Sequence, residues 1–326
     1  MDICYLTPDG VEEHTAQDVL DLRERGDGLL WVDIPEWGDD AEELLGKVFQ
    51  FHPMAVADCS KRNPVPKTHV YSDHIFVVLH TPETGKAGHV HYLELDQFIG
   101  PGYVVTVHGP LNPAVDPEAA MLEVRSLRRR IESGRFSPAS AEELSYALVG
   151  GVTRRLRQYI ADLTQDVWQL EQRVTAGHLG DPEEFLEQMF RTRHGLLTVR
   201  TMAALSREVY GRLATIAVDR PDRRRLFEDV VDQFERLCSM AEGQKDYLQG
   251  TIEFYQARTN TKMTVAAERL AVIAAVTLPI TALSSVLGMN VIVNQSTHYG
   301  LLTAALVIML IMSALLLVWS KRKGWW

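Results

Sequence analysis

Gly288, Met289 and Asn290 close a stretch, Leu270 to Asn290, in which no residue carries a charge. Counting back from it in helical steps of three or four gives Ser285, Thr281, Leu278, Ala274, Leu270, Ala267 and Thr264. Such positions share one side of an α-helix. That side is narrow and mildly polar, whereas Ile273, Val276, Ile280, Leu283 and Leu287 make the opposite side bulky and oily. Small residues let helices approach closely, and hydroxyls gain nothing from lipid, so the narrow side suits a partner helix or water. A single helix of this kind makes no channel, but several copies with the narrow side turned inward make one. The chemistry on offer is passage of a solute, not bond making. No nucleophile, base and acid arrangement, phosphate-cradling loop or catalytic metal motif is visible. Neither an enzyme nor an organic cofactor is expected.

The elements that position these residues are two apolar runs. Leu270 to Asn290 is long enough to cross a bilayer core of roughly 30 Å as a helix. Leu301 to Trp319 is also uncharged and uniformly greasy, as a lipid-facing helix is. The link between them holds no Lys or Arg, whereas Arg258, Lys262 and Arg269 precede the first run and Lys321, Arg322 and Lys323 follow the second. This bias predicts a two-span protein of the cell inner or plasma membrane, with membrane lipids as partners and both termini cytoplasmic. Trp319, Trp325 and Trp326 suit the aromatic belt of the inner interface. The opening MDICYLTPDG lacks the basic start and apolar core of a signal peptide.

Upstream, Leu29 to Ile34 reads as a buried strand, Asp39 to Phe49 as a helix, and His69–Leu79, Leu93–Ile99 and Tyr103–Val107 as strands. From Asp116 the pattern turns helical, broken at Gly177 to Pro182 and at Val218 to Asp222. From Arg223 a helix can run on into the first apolar segment. The expected fold is an α+β membrane protein. Its parts are a cytoplasmic α/β domain (1–115), a cytoplasmic helical region (116–222) and a long stalk helix (223–269). A pore-lining transmembrane helix (270–290), an external loop (291–300), a second transmembrane helix (301–319) and a basic cytoplasmic tail (320–326) complete it. The net charge of −10 argues against a nucleic-acid partner, and an acidic body beneath a pore favours cations. Cys4, Cys59 and Cys238 show no metal or redox spacing and read as reduced structural thiols.

Together these features resemble the CorA-type magnesium transporter family. The carrying residues are Gly288-Met289-Asn290 at the end of the penultimate helix, followed by a short loop, one more helix and a basic terminus. Supporting matches are Leu278 to Thr281, His52-Pro53-Met54 with Asp58, Asn63 to Lys67, Ile75 to Leu79, Tyr103 to His108, and Asp229-Val230-Val231-Asp232. The resemblance implies a homopentamer that takes up Mg2+, with Co2+ and Ni2+ as further candidates. By the same resemblance Gly288, Met289 and Asn290 form the outer ion-recognition ring. Ser285, Thr281, Leu278, Ala274, Leu270, Ala267 and Thr264 line or gate the conduit. Asp229 and Asp232 lie near protomer interfaces, where regulatory Mg2+ holds the closed state; a solvated helix face is the competing reading for that pair.

The physical chemistry agrees with that assignment. Mg2+ sheds its waters reluctantly and prefers hard oxygen ligands. A ring of neutral Asn290 carbonyls, joined by the unsatisfied carbonyls of converging helix C-termini, accepts hydrogen bonds from a hydrated ion without stripping it. An ordinary helix cap is the plainer role for the same asparagine. Rings of Leu278 and Leu270 suit gating by dewetting. The sequence departs from the family in its acid-free loop, in Leu287 where an aromatic is usual, and in Glu268 and Arg269 so near the membrane. His298 in the loop keeps open a Zn2+ transporter of the same family, including a proton-coupled one. A membrane-anchored cytoplasmic sensor is the alternative of a different class.

Overall fold

A computed structural model describes residues 1–8, 10–85, 88–177, 181–217, 220–288 and 299–322. The chain divides into two compact units, Met1–Gln249 and Gly250–Trp326.

The first unit is built on a seven-stranded sheet in the order β2-β1-β3-β7-β6-β5-β4. Its strands are β1 (Asp2–Thr7), β2 (Gly10–His14), β3 (Leu29–Ile34), β4 (Lys67–Val70), β5 (Ile75–Thr84), β6 (Val90–Gly100) and β7 (Tyr103–Val107). At its centre β3 and β7 pair in parallel, Leu30 opposite Tyr103 and Ile34 opposite Val107. The other neighbouring pairs are antiparallel.

Successive side chains of a strand point to opposite faces, and here both faces are apolar. Leu29 and Trp31 join Cys4, Leu6, Val77, Leu79 and Val104 in one core. Leu30, Val32 and Ile34 join Ile3, Tyr5, Phe76, Phe98 and Val105 in the other. The first core is completed by α5 (Leu122–Glu132), α6 (Ala141–Ala176), α7 (Pro182–Ile216) and the early turns of α8 (Pro221–Gly288), through Val124, Leu148, Leu156, Tyr210 and Phe234. The second is completed by α1 (Val19–Glu24), α2 (Asp39–Glu43) with the π-helical turn Leu44–Val48, and α3 (Pro53–Cys59). The short α4 (Pro117–Ala120) sits with Leu93 and Val115 in a small satellite core. The helices α5, α6 and α7 and the early turns of α8 are therefore packed into the sheet's own core.

Local chemistry sets the helix ends. The Ser140 hydroxyl accepts from the Glu143 N–H at 3.2 Å to open α6, and Gly177 closes it at φ 77°, the left-handed region that favours glycine. Asp181 caps α7 by accepting from the Glu183 N–H at 2.9 Å, with Pro182 in the first turn. The expected strand His69–Leu79 is instead a hairpin. The Tyr71 N–H donates to the His74 carbonyl at 2.9 Å, and the chain doubles back between β4 and β5. The β1–β2 hairpin was not among the expected strands, because its alternation of apolar and polar side chains is short and sits beside charged residues.

The second unit holds the later part of α8, which continues through Pro279, and α9 (Tyr299–Arg322). Both helices contain a segment long and apolar enough to cross a membrane.

Candidate functional site

The side of α8 singled out by spacing is bare. Thr264, Ala267, Ala274, Thr281, Ser285 and Gly288 are exposed, and Leu270 and Leu278 keep 67% and 65% of their surface. Across the helix Val272 is buried, and Val276, Pro279, Ile280 and Leu283 are half-buried; Ile273, grouped with them by spacing, is exposed. A matching stripe runs along α9, where Ala305, Met309, Met312, Ser313 and Leu316 are half-buried and Ser320 is buried. In a unit made of two helices, a covered stripe on each is what results when they lie against one another. The bulky side of α8 is thus partly spent within the chain, and the narrow side is left over.

Hydroxyls on α8 are satisfied by their own helix. Thr264, Thr277 and Thr281 donate to the carbonyls of Asn260, Ile273 and Thr277 at 3.0, 2.9 and 2.9 Å. Each keeps an oxygen lone pair facing outward, able to accept from water. Pro279 lacks an N–H and so releases the Ala275 carbonyl from the helical ladder, which adds one more acceptor to this stretch. Gly288 ends α8 with nothing within 4 Å of where a Cβ would stand. Met289 and Asn290 lie outside the described residues, as do the loop Val291 to His298 and the tail from Lys323.

Asp229 and Asp232, on the early part of α8, are both exposed but differ in setting. Asp229 accepts hydrogen bonds from the Tyr146 hydroxyl and the Gln233 amide, each at 2.6 Å. These bonds, Tyr146 foremost, hold its carboxyl below the usual carboxylate range and push the Tyr146 phenol up. Among the described residues Asp232 has no such partner. Among the described residues no three His, Cys, Asp or Glu side chains gather closely enough to hold a metal ion. A cation at this pair needs ligands from outside the chain or from water.

Spacing did not single out a buried polar group beneath α3. Glu94 and Asp96 alternate with Leu93 and Leu95 on β6 and so share the face of Phe98, whose core α3 completes; Asp96 is buried there and Glu94 half-buried. Glu94 accepts from the Asn63 main-chain N–H at 2.8 Å and from the Asn63 side-chain amide. Asp96 is fully buried, and neither of its oxygens meets a hydrogen-bond partner within ordinary limits. Burial, then the Glu94 charge, raises its carboxyl well above the usual range, so it is held protonated; burial also raises Glu94. His80 stands opposite Glu94 in the β5–β6 register, and burial lowers its imidazole to about 4. Lys67, paired with Asp58 at 2.7 Å, is the nearby cation. The available signal was an acid at every second position of an apolar strand, which reads equally as a solvated sheet face.

The family described as CorA-like Mg2+ transporter protein matches residues 26–322, which takes in nearly all of both units. The chain belongs to that family. The metal ion transporter candidate YfjQ of Bacillus subtilis is 24% identical over 305 residues, covering 90% of this chain and 89% of that one. The cobalt/magnesium transport protein CorA of Thermotoga maritima is 22% identical over 293 residues, covering 88% and 80%. Among solved structures, the complete CorA magnesium transporter of Methanocaldococcus jannaschii superposes with a TM-score of 0.81 at 16% identity, covering 100% of this chain and 99% of that one. That likeness speaks for the fold: an α/β unit followed by a long helix and two apolar C-terminal helices.

Proposed function

We propose that this chain carries divalent cations, Mg2+ foremost, across a membrane through a pore formed by several copies, five by family resemblance. In this reading α8 lines the conduit with Thr264, Ala267, Leu270, Ala274, Leu278, Thr281 and Ser285, and Gly288, Met289 and Asn290 form the outer ring. The observation that carries it is the bare, narrow side of α8 in a chain whose family membership spans both units. A tether has no use for such a side, whereas helices packed around a wet axis need one. A hydrated dication meets outward lone pairs of Thr264 and Thr281, whose protons are already donated within the helix. Leu270 and Leu278 then act as apolar constrictions that pass ions when wetted and block them when dry. Asp229 and Asp232 are proposed to bind regulatory Mg2+ with a neighbouring copy, whose departure lets like charges repel and loosens the closed assembly.

The test is flux into proteoliposomes, with Mg2+, Co2+, Ni2+ and Zn2+ compared with and without a proton gradient. Saturable Mg2+ entry that needs no gradient is expected. Zn2+ flux driven by protons, with no Mg2+ flux, transfers the reading to the zinc branch, and no flux of any ion leaves a tethered sensor.

A further inference from the structure

At the start of the apolar run of α8, Thr261, Lys262, Val265, Ala266, Arg269 and Leu270 line a groove of about 570 Å³. Lys262 and Arg269 are two helical turns apart, so they share one side of the helix at a separation of about 10 Å along its axis. Both are exposed. The ion pairs of α8 involve Arg223, Arg224, Glu235, Glu242 and Lys245, and among the described residues no carboxylate pairs with Lys262 or Arg269. Glu268, next to Arg269 in sequence, is not among the side chains that line the groove.

Two features choose the occupant. The rest of the lining, Val265, Ala266 and Leu270, is apolar, which a small free anion does not use but an acyl chain does. Leu270 marks the groove's edge towards the proposed conduit, whereas Lys262, Val265, Ala266 and Arg269 centre it roughly 140° around the helix from the Thr264, Ala267 and Ala274 stripe. At the end of α9, Lys321 and Arg322 add two more cations. Because ten residues link α8 to α9, both helices present their charged ends to the same side of a membrane that both cross.

We propose that this groove binds an anionic phospholipid, its phosphate between Lys262 and Arg269 and its acyl chains against Val265 and Ala266. The proposal rests on the membrane-crossing reading of α8 and α9, and the experiment separates the two. Full-length protein is reconstituted into vesicles and floated on a density gradient, which reports membrane insertion alone. Native mass spectrometry on the same protein then scores retention of phosphatidylglycerol, phosphatidylcholine and inorganic phosphate. Wild type is expected to float and to retain phosphatidylglycerol over phosphatidylcholine. The pair Lys262→Gln and Arg269→Gln is expected to weaken that retention about thirty-fold, at roughly a fivefold to sixfold loss per removed charge. The exchange Lys262→Arg with Arg269→Lys is expected to preserve it. Undiminished phosphatidylglycerol in the glutamine pair, equal retention of phosphatidylcholine, or full displacement by inorganic phosphate overturns the lipid site while the floated band keeps the membrane reading. Failure of wild type to float overturns both.

Discussion

The two units treat their large apolar side chains in opposite ways. In the first, Tyr5, Phe76, Phe98 and Phe234 keep no more than 1% of their surface, because both faces of the sheet are roofed by helices of the same chain. In the second, Leu270, Leu278, Leu310 and Leu315 keep between 65% and 72%. Exposed apolar surface of that extent is an unfinished interface in water. The first unit is completed by its own sequence, whereas the second leaves apolar surface that, in the proposed function, lipid and other copies cover. The difference supports the proposed site: a self-sufficient core stabilises, whereas a helix with a bare narrow side has something left to bind.

The sharpest way to break this contrast is at the outer ring. Asn290→Ala is expected to abolish Mg2+ flux in proteoliposomes while particle size in detergent stays unchanged, since the proposed function gives Asn290 a role in binding the ion and none in the fold. Full flux in that variant rejects the asparagine's assigned role. Next in size, Phe234→Ala removes a fully buried ring and is expected to cost the first unit about 3–5 kcal/mol, read as a lowered unfolding midpoint. Leu310→Ala, on an exposed position of α9, is expected to leave that midpoint where it was. Equal losses from the two would erase the distinction between the units.

A smaller effect probes the buried acids. Asp96 keeps its proton in the fold, whereas the unfolded chain releases it near 3.8, so its contribution to stability falls as pH rises from there towards its raised folded value. His80 acts in the opposite sense: neutral in the fold down to about 4, it costs stability as pH falls below about 6.5. Asp96→Asn removes the first dependence and keeps the second. The variant's unfolding temperature relative to wild type is therefore expected to climb between pH 4 and pH 7; a flat difference across that range shows that Asp96 is not held protonated. The smallest effect is at Asp229, where Tyr146→Phe deletes one hydrogen bond to an exposed carboxylate. A change in unfolding free energy of under about 1 kcal/mol is expected, with the Asp229 carboxyl titrating nearer its ordinary range by NMR.

What was legible in the sequence was whatever depends on neighbours along the chain. Helices α8 and α9 carry the described part of the two uncharged runs, α6 ends at Ala176 and α7 opens at Pro182 around the first expected break, and α8 opens at Pro221, inside the break expected at Val218 to Asp222. Their causes are local, because lipid thickness, a missing N–H and the turn of a helix act within a few residues. Only tertiary structure decided that β3 lies beside β7, that Glu94 and Asp96 point into a core, and that Asp229 is tied to Tyr146 across 83 positions of sequence. Such pairings are settled by which distant surfaces bury each other, and a strand's alternation does not say which of its faces will be roofed.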